Sequence, residues 1–140
     1  MNPRAQALIE QLKLEPHPEG GHYREVFRSG LAVTRHSDSA QRTALTTIYF
    51  LLLGGESSSW HRVASDEIWH FYEGAELELF VSSSPGGACD PVMLGPVGNA
   101  SSPVRVVPAG CWQMARTSGD YTLVGCTVGP GFEFADFELA

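Results

Sequence analysis

The feature that most constrains this chain is the rhythm with which its apolar runs are interrupted. From residue 22 onward, strand-length stretches rich in β-branched and aromatic residues alternate with glycine- and proline-bearing turn sequences. Gly54-Gly55, Pro85-Gly86-Gly87, Gly95-Pro96, Pro108-Ala109-Gly110, Ser118-Gly119-Asp120 and Gly129-Pro130-Gly131 are such breaks. Each supplies the positive φ or fixed φ that a reversal of the chain needs. The segments they leave, 44–53, 58–63, 67–72, 76–81, 104–107, 112–116, 121–128 and 132–138, are too short for stable helices and read as strands. Many short strands at this spacing predict an all-β sandwich or barrel.

Only the start departs from this pattern. Asn2 can cap a helix, Pro3 suits its first turn, and Ala5, Leu8, Ile9 and Leu12 fall on one helical face. Pro16 and Pro18 disfavour helical backbone in the residues before them, so the helix should end near Leu14. The expected organisation is one domain over 1–140, with an N-terminal helix in 1–15 and a β-barrel over 20–140. In the strand 22–29, strict alternation places Tyr23, Glu25 and Phe27 on one face and Arg24, Val26 and Arg28 on the other. The polar stretch 31–42 reads as a loop.

Composition excludes some functions. A formal charge of −7, with nine basic residues scattered along the chain, does not suit a nucleic-acid binder. No apolar run reaches bilayer-spanning length, so no membrane partner is expected. No apolar secretory core follows Met1, and Cys89, Cys111 and Cys126 make neither a CxxC pair nor an even disulfide set. A cytoplasmic protein with reduced thiols is the expectation.

The chemistry concentrates in 55–74. If Ser59, His61 and Val63 alternate on one face, the turn at 64–66 returns Glu67 opposite His61, and Trp69 and Phe71 share the face of Glu67. A histidine and a glutamate meeting inside a barrel can ligate a metal or act as a base and its partner. Trp60, by parity, points outward.

At this point the chain resembles the cupin superfamily. Gly55, His61, Glu67 and Gly74 stand at four of the five positions of the first cupin motif, and Val63 stands at its second histidine position. In the second motif Pro108-Ala109-Gly110 matches, with Ser102, Gln113 and Thr117 where Gly, His and Asn are usual. Blocks at 16–25, 48–52, 60–72, 107–110 and 123–139 resemble one small cupin branch of unknown function. The resemblance implies a double-stranded β-helix (jelly roll) and, commonly, a homodimer. The usual cupin metal site has three histidines and one glutamate. Here only His61, Glu67 and Gln113 could ligate, so the resemblance implies no tightly held cofactor, with a weakly bound divalent metal on those three residues as the alternative.

The strand at 20–25 is similar to one in cupin-type sugar-nucleotide 3,5-epimerases, which hold their ligand with an aromatic residue and a glutamate; Tyr23 and Glu25 match those positions. Those enzymes are metal-free and use a histidine base. The expected function is therefore binding of a small polar ligand, a sugar or nucleobase derivative. Isomerisation or epimerisation with His61 and Glu67 as catalytic residues is the expected activity if the protein is an enzyme. Tyr23, Glu25, Ser59, Trp69 and Gln113 would line the ligand site. A divalent-metal enzyme and a non-catalytic sensor are the rival readings.

Overall fold

The computed structural model describes residues 1–140. The helix α1 spans Pro3–Leu12, and the Asn2 side chain caps it by accepting from the Arg4 and Ala5 backbone N–H groups. It ends two residues before Leu14, where Lys13 takes the left-handed conformation. Fourteen strands follow: β1 Glu15–Pro16, β2 His22–Arg28, β3 Ala32–Thr34, β4 Gln41–Thr43, β5 Thr46–Leu53, β6 His61–Val63, β7 Asp66–Gly74, β8 Leu77–Ser82, β9 Val92–Leu94, β10 Ser101–Ser102, β11 Val104–Val107, β12 Trp112–Thr117, β13 Tyr121–Gly129 and β14 Phe137–Leu139. One six-stranded sheet has the order β1-β2-β5-β13-β7-β11, and the other runs β10-β9-β8-β12-β6-β14. Every pairing is antiparallel except β9 with β10. The two sheets face each other as a jelly roll.

The period-2 geometry of β5 explains its unbroken apolar run. Phe50 and Leu52 enter the core between the sheets, where they meet Trp69, Leu77, Leu79, Leu94, Val107 and Val124. Leu51 points the other way, and with Leu123 it packs under Ala5, Leu8 and Leu14. This strand is apolar on both faces because α1 covers its outer one.

Three sequence expectations fail locally. Residues 31–42 are not all loop: β3 and β4 form a hairpin, with Ala32 opposite Thr43 and Thr34 opposite Gln41. The alternation in β2 breaks at a β-bulge between Glu25 and Phe27, where the register on β5 passes from Ile48 directly to Thr47. The extra residue turns Phe27 out to solvent and brings Arg28 round to the side of Glu25. The segment 132–138 is not one strand either. A 3₁₀ turn, Phe134–Asp136, interrupts it before β14. No helix is long and apolar enough to cross a membrane.

Candidate functional site

The site begins with the turn that enters β2. The His17 N–H donates to the Gly21 carbonyl (2.9 Å), and the Gly20 N–H donates to the His17 carbonyl (3.0 Å). Gly20 and Gly21 have φ of 104° and 77°, and a Cβ on either would lie 2.8 Å from a backbone carbonyl oxygen, of Ser57 and Leu51 respectively. Only glycine fits so tight a crossing. The crossing turns Glu19 inward, and the Ser59 N–H donates to its carbonyl (2.7 Å). The Glu19 side chain, buried within the barrel, pairs its Oε2 with His61 Nε2 at 2.8 Å.

His61 lies on β6 with its other nitrogen, Nδ1, 2.8 Å from the Ser59 carbonyl oxygen. A carbonyl only accepts, so Nδ1 carries a proton, and the carboxylate opposite favours a second proton on Nε2. Burial opposes the imidazolium, but the hydrogen bond and charge of Glu19, the Ser59 carbonyl and Glu67 together outweigh it, and the pKa is raised. His61 is therefore a buried cation that holds Glu19.

Glu67 enters from β7, with Val107 and Val128 as neighbours on the flanking strands. Its Oε1 accepts from Gln113 Nε2 at 2.8 Å, and Gln113 Oε1 accepts from Trp69 Nε1 at 3.1 Å. An indole N–H can only donate, so the amide oxygen of Gln113 must face Trp69 and its NH₂ must face Glu67. The chain of bonds Trp69–Gln113–Glu67 thus fixes the carboxyl in one orientation. Burial, above all, raises the Glu67 pKa; Glu19 adds to this, while His61, Gln113 and Cys126 oppose it. The same burial, with the nearby carboxylates, pushes the Cys126 thiol well up. That cysteine is inert as a nucleophile.

Glu19 and Glu67 form the floor of a cavity of about 180 Å³. Tyr23, Glu25 and Arg28 of β2, Thr46 and Ile48 of β5, and Cys126 and Val128 of β13 make one wall. Phe132, Glu133, Phe134 and Phe137, from the C-terminal segment, make the other. His17 completes the lining, its ring 4.4 Å from that of Tyr23. The Glu19 N–H donates to His17 Nδ1 at 3.0 Å, which leaves the ring proton on Nε2. Burial lowers the His17 pKa and His61 lowers it further against the pull of Glu19, so His17 is neutral.

Of the residues predicted from sequence, Tyr23, Glu25 and Glu67 line the cavity. His61 does not: Glu19 lines it and His61 stands bonded to Glu19. Trp69 and Gln113 are inward but fully buried, and they orient Glu67 rather than meet a ligand. Ser59 is a correction. It precedes the short β6 and is exposed, whereas Ser58 is buried and accepts from the Ala115 N–H (2.8 Å). The residues missed are Glu19, His17, Arg28 and the phenylalanines of the C-terminal segment. For Glu19 the available signal was a carboxylate wedged between a Pro-His-Pro stretch and a Gly-Gly turn. In the C-terminal segment, Glu133, Asp136 and Glu138 pair with Arg28, with Arg35 and Arg42, and with Arg62 respectively.

Residues 6–140 match the family model described as Cupin superfamily (DUF985). The chain belongs to the cupin superfamily. A hypothetical protein from Leishmania major is 35% identical to this cupin, with a TM-score of 0.88 over 97% of this chain and 86% of that one. A protein from Shewanella oneidensis is 39% identical, with a TM-score of 0.85 over 97% and 84% of the two chains. KdgF from Halomonas sp. shares the fold at 13% identity, with a TM-score of 0.61 over 87% and 89%. Among curated proteins, none matches.

The donor set of this cupin does not fit the metal site common in the superfamily. Val63, at the second histidine position, is buried and has no ligating atom. The one ligating atom of Gln113 is taken by Trp69, and Nε2 of His61 is taken by Glu19. No three His, Cys, Asp or Glu side chains converge as a metal would require. His61, Glu67 and Gln113, the alternative ligand set offered by the sequence, are each bonded to a protein partner.

Proposed function

We propose that this cupin binds a small, polar, ring-sized molecule, a sugar or nucleobase derivative, and moves a proton on it without a metal, as an isomerase does. The observation that carries this reading is the setting of Glu67. It is a buried carboxyl at the cavity floor, locked in orientation by Gln113 and Trp69, with its pKa raised by burial. A general base is most effective when its pKa lies near the working pH. Glu67 takes the acid–base role first read onto His61, because both nitrogens of His61 are engaged.

The chemistry needs a second group, and His17 supplies it. As a neutral imidazole with its proton on Nε2, it can donate to a substrate carbonyl oxygen. Glu67 removes a proton from the adjacent carbon, and the C–H electron pair moves into an enolate whose oxygen His17 stabilises. Glu67 then returns the proton to the former carbonyl carbon, while His17 gives its Nε2 proton to the first oxygen and takes the hydroxyl proton of the neighbouring one, which becomes the new carbonyl. Glu19, paired through Oε2 with His61 Nε2, supplies the second carboxyl group of the site. Tyr23 and the phenylalanine wall hold the ring.

The test is wash-in of solvent deuterium into candidate sugars and nucleobase derivatives first chosen by thermal shift. Glu67→Gln should abolish exchange while the fold and ligand stabilisation persist. Exchange that survives Glu67→Gln sinks the mechanism. Ligand stabilisation without any exchange in the unmodified protein identifies a binding module instead.

A further inference from the structure

The cavity contains one side-chain cation on its surface, and that cation is already committed. Arg28 donates Nη2 and Nε to Glu25 (2.7 and 3.3 Å) and Nη1 to Glu133 (3.0 Å). Nη2 also reaches the Phe132 carbonyl oxygen (3.0 Å). These three charged side chains are exposed and mark the mouth, whereas Glu19 and Glu67, each 7% exposed, mark the floor. No lysine and no second arginine line the space. A phosphate, sulfate or carboxylate entering here would have to displace a glutamate from Arg28 and then sit over two further carboxyl groups.

The floor shows the opposite preference. His61 holds Oε2 of Glu19, and no protein donor reaches its other oxygen, although the side chain is more than nine-tenths buried. That carboxylate belongs to a residue lining the cavity and still has an acceptor to fill. The opposite wall is aromatic. Phe132, Phe134 and Phe137 pack edge to face with centroids 5.0 to 6.0 Å apart, and His17 stands 6.2 Å from Phe137. Aromatic faces carry partial negative charge and attract cations. Size sets a further limit. A cavity of about 150 Å³ accepts benzene, so one of about 180 Å³ takes a single ring with a short substituent.

We propose that the ligand of this cavity is a small organic cation, a ring bearing one ammonium group, whose charge rests on Glu19 and whose body lies against the phenylalanine wall. The proposal rests on the reading of the cavity as a ligand site and names the class it takes, an amine-bearing ring. Nucleotide-linked and phosphorylated substrates are thereby excluded. An ammonium beside the reacting carbon also suits the chemistry, because it stabilises the charge that develops when Glu67 removes the proton. Its arrival favours the ionised, basic form of Glu67, so binding should release a proton to solvent.

Isothermal titration of the full chain with benzylamine, benzyl alcohol and benzoate at neutral pH tests this. Benzylamine should bind at least about tenfold more tightly than the alcohol, and benzoate should not bind. Glu19→Gln should erase the preference for amine over alcohol. Should that variant fail to fold, Phe134→Leu, at a half-exposed position, should lower amine affinity more than alcohol affinity. Heats of benzylamine binding should change with the ionisation enthalpy of the buffer, as proton release requires. Tighter binding of benzoate, a preference for amine that survives both substitutions, buffer-independent heats, or no binding by any of the three at about 10 mM would each overturn the proposal. Preference for an anion with deuterium exchange intact defeats only the ligand class. Amine binding without exchange defeats only the acid–base reading.

Discussion

Replacing Asp136 by asparagine should loosen the C-terminal wall of the cavity by a calculable amount. Its carboxylate lies in the 3₁₀ turn between Phe134 and Phe137, with a side chain only 7% exposed. Arg42 donates Nε and Nη2 to it (both 2.8 Å), and Arg35 donates Nη1 and Nη2 (3.1 and 3.2 Å). Hydrogen bonds from Arg42, then Arg35, hold the carboxyl at about 2 against an ordinary 3.8, with partial burial opposing them. At about 1.36 kcal/mol per pH unit, that difference corresponds to a ceiling of about 2.4 kcal/mol. Arg35 keeps its pair with the half-exposed Asp38 when Asp136 is replaced, which reduces the expectation to about 1–2 kcal/mol. For a domain of this size the midpoint of thermal unfolding should fall by about 3–7 °C at pH 7.

The sign follows from the depressed pKa. The stabilisation is fully present above the unfolded value and is lost as pH falls through the folded one. Between about pH 4 and pH 2 the native protein should lose this increment, and the Asp136→Asn variant should show a correspondingly flatter profile. Thermal melts by circular dichroism across pH 2–8 measure both quantities. A melting point within about 1 °C of the native protein at pH 7 would refute the assignment of Asp136 as the clasp.

Two further expectations concern the buried polar chain and the buried cation. Gln113→Leu removes the amide between Trp69 and Glu67 and leaves both unpaired in the core. It should cost about 2–4 kcal/mol in urea unfolding, and a loss below about 0.5 kcal/mol would contradict the bonding described. The raised pKa of His61 gives stability that is present below its ordinary 6.5 and is lost as pH rises through the folded value. Glu67, also raised, acts with the same sign from its own lower starting point. Melting temperature should therefore decline with increasing alkalinity. His61→Gln should flatten the upper part of that decline, and an unchanged slope would exclude His61 as the buried cation.

What the sequence made legible follows from how local each feature is. The long strands β5, β7, β12 and β13 were readable because β-branched and aromatic residues cluster between glycine and proline breaks. Spacing alone placed His61 and Glu67 inside a barrel, and both are there. The hairpin β3–β4 escaped notice because its three-residue strands are mostly polar and gain their support from pairing and from the clasp at Asp136. The bulge in β2 left no mark in Glu25-Val26-Phe27-Arg28, since a bulge belongs to the pairing and not to either strand. It moved Arg28 into the site and Phe27 out of it. Glu19 was hidden for a related reason. A carboxylate in a turn looks solvated until the partner that buries it, here His61, is brought from forty-two residues away. Long-range pairing decided every error that mattered to the site.

The Trp69–Gln113–Glu67 chain has a use beyond positioning. Indole fluorescence responds to the charge and hydrogen bonding around the ring nitrogen, and Trp69 is coupled through one amide to the carboxyl that carries the proposed chemistry. The protein therefore contains its own optical probe. The emission of a chain in which Trp60 and Trp112 are replaced by phenylalanine reports the protonation of Glu67, and hence the arrival of a ligand, without any added label.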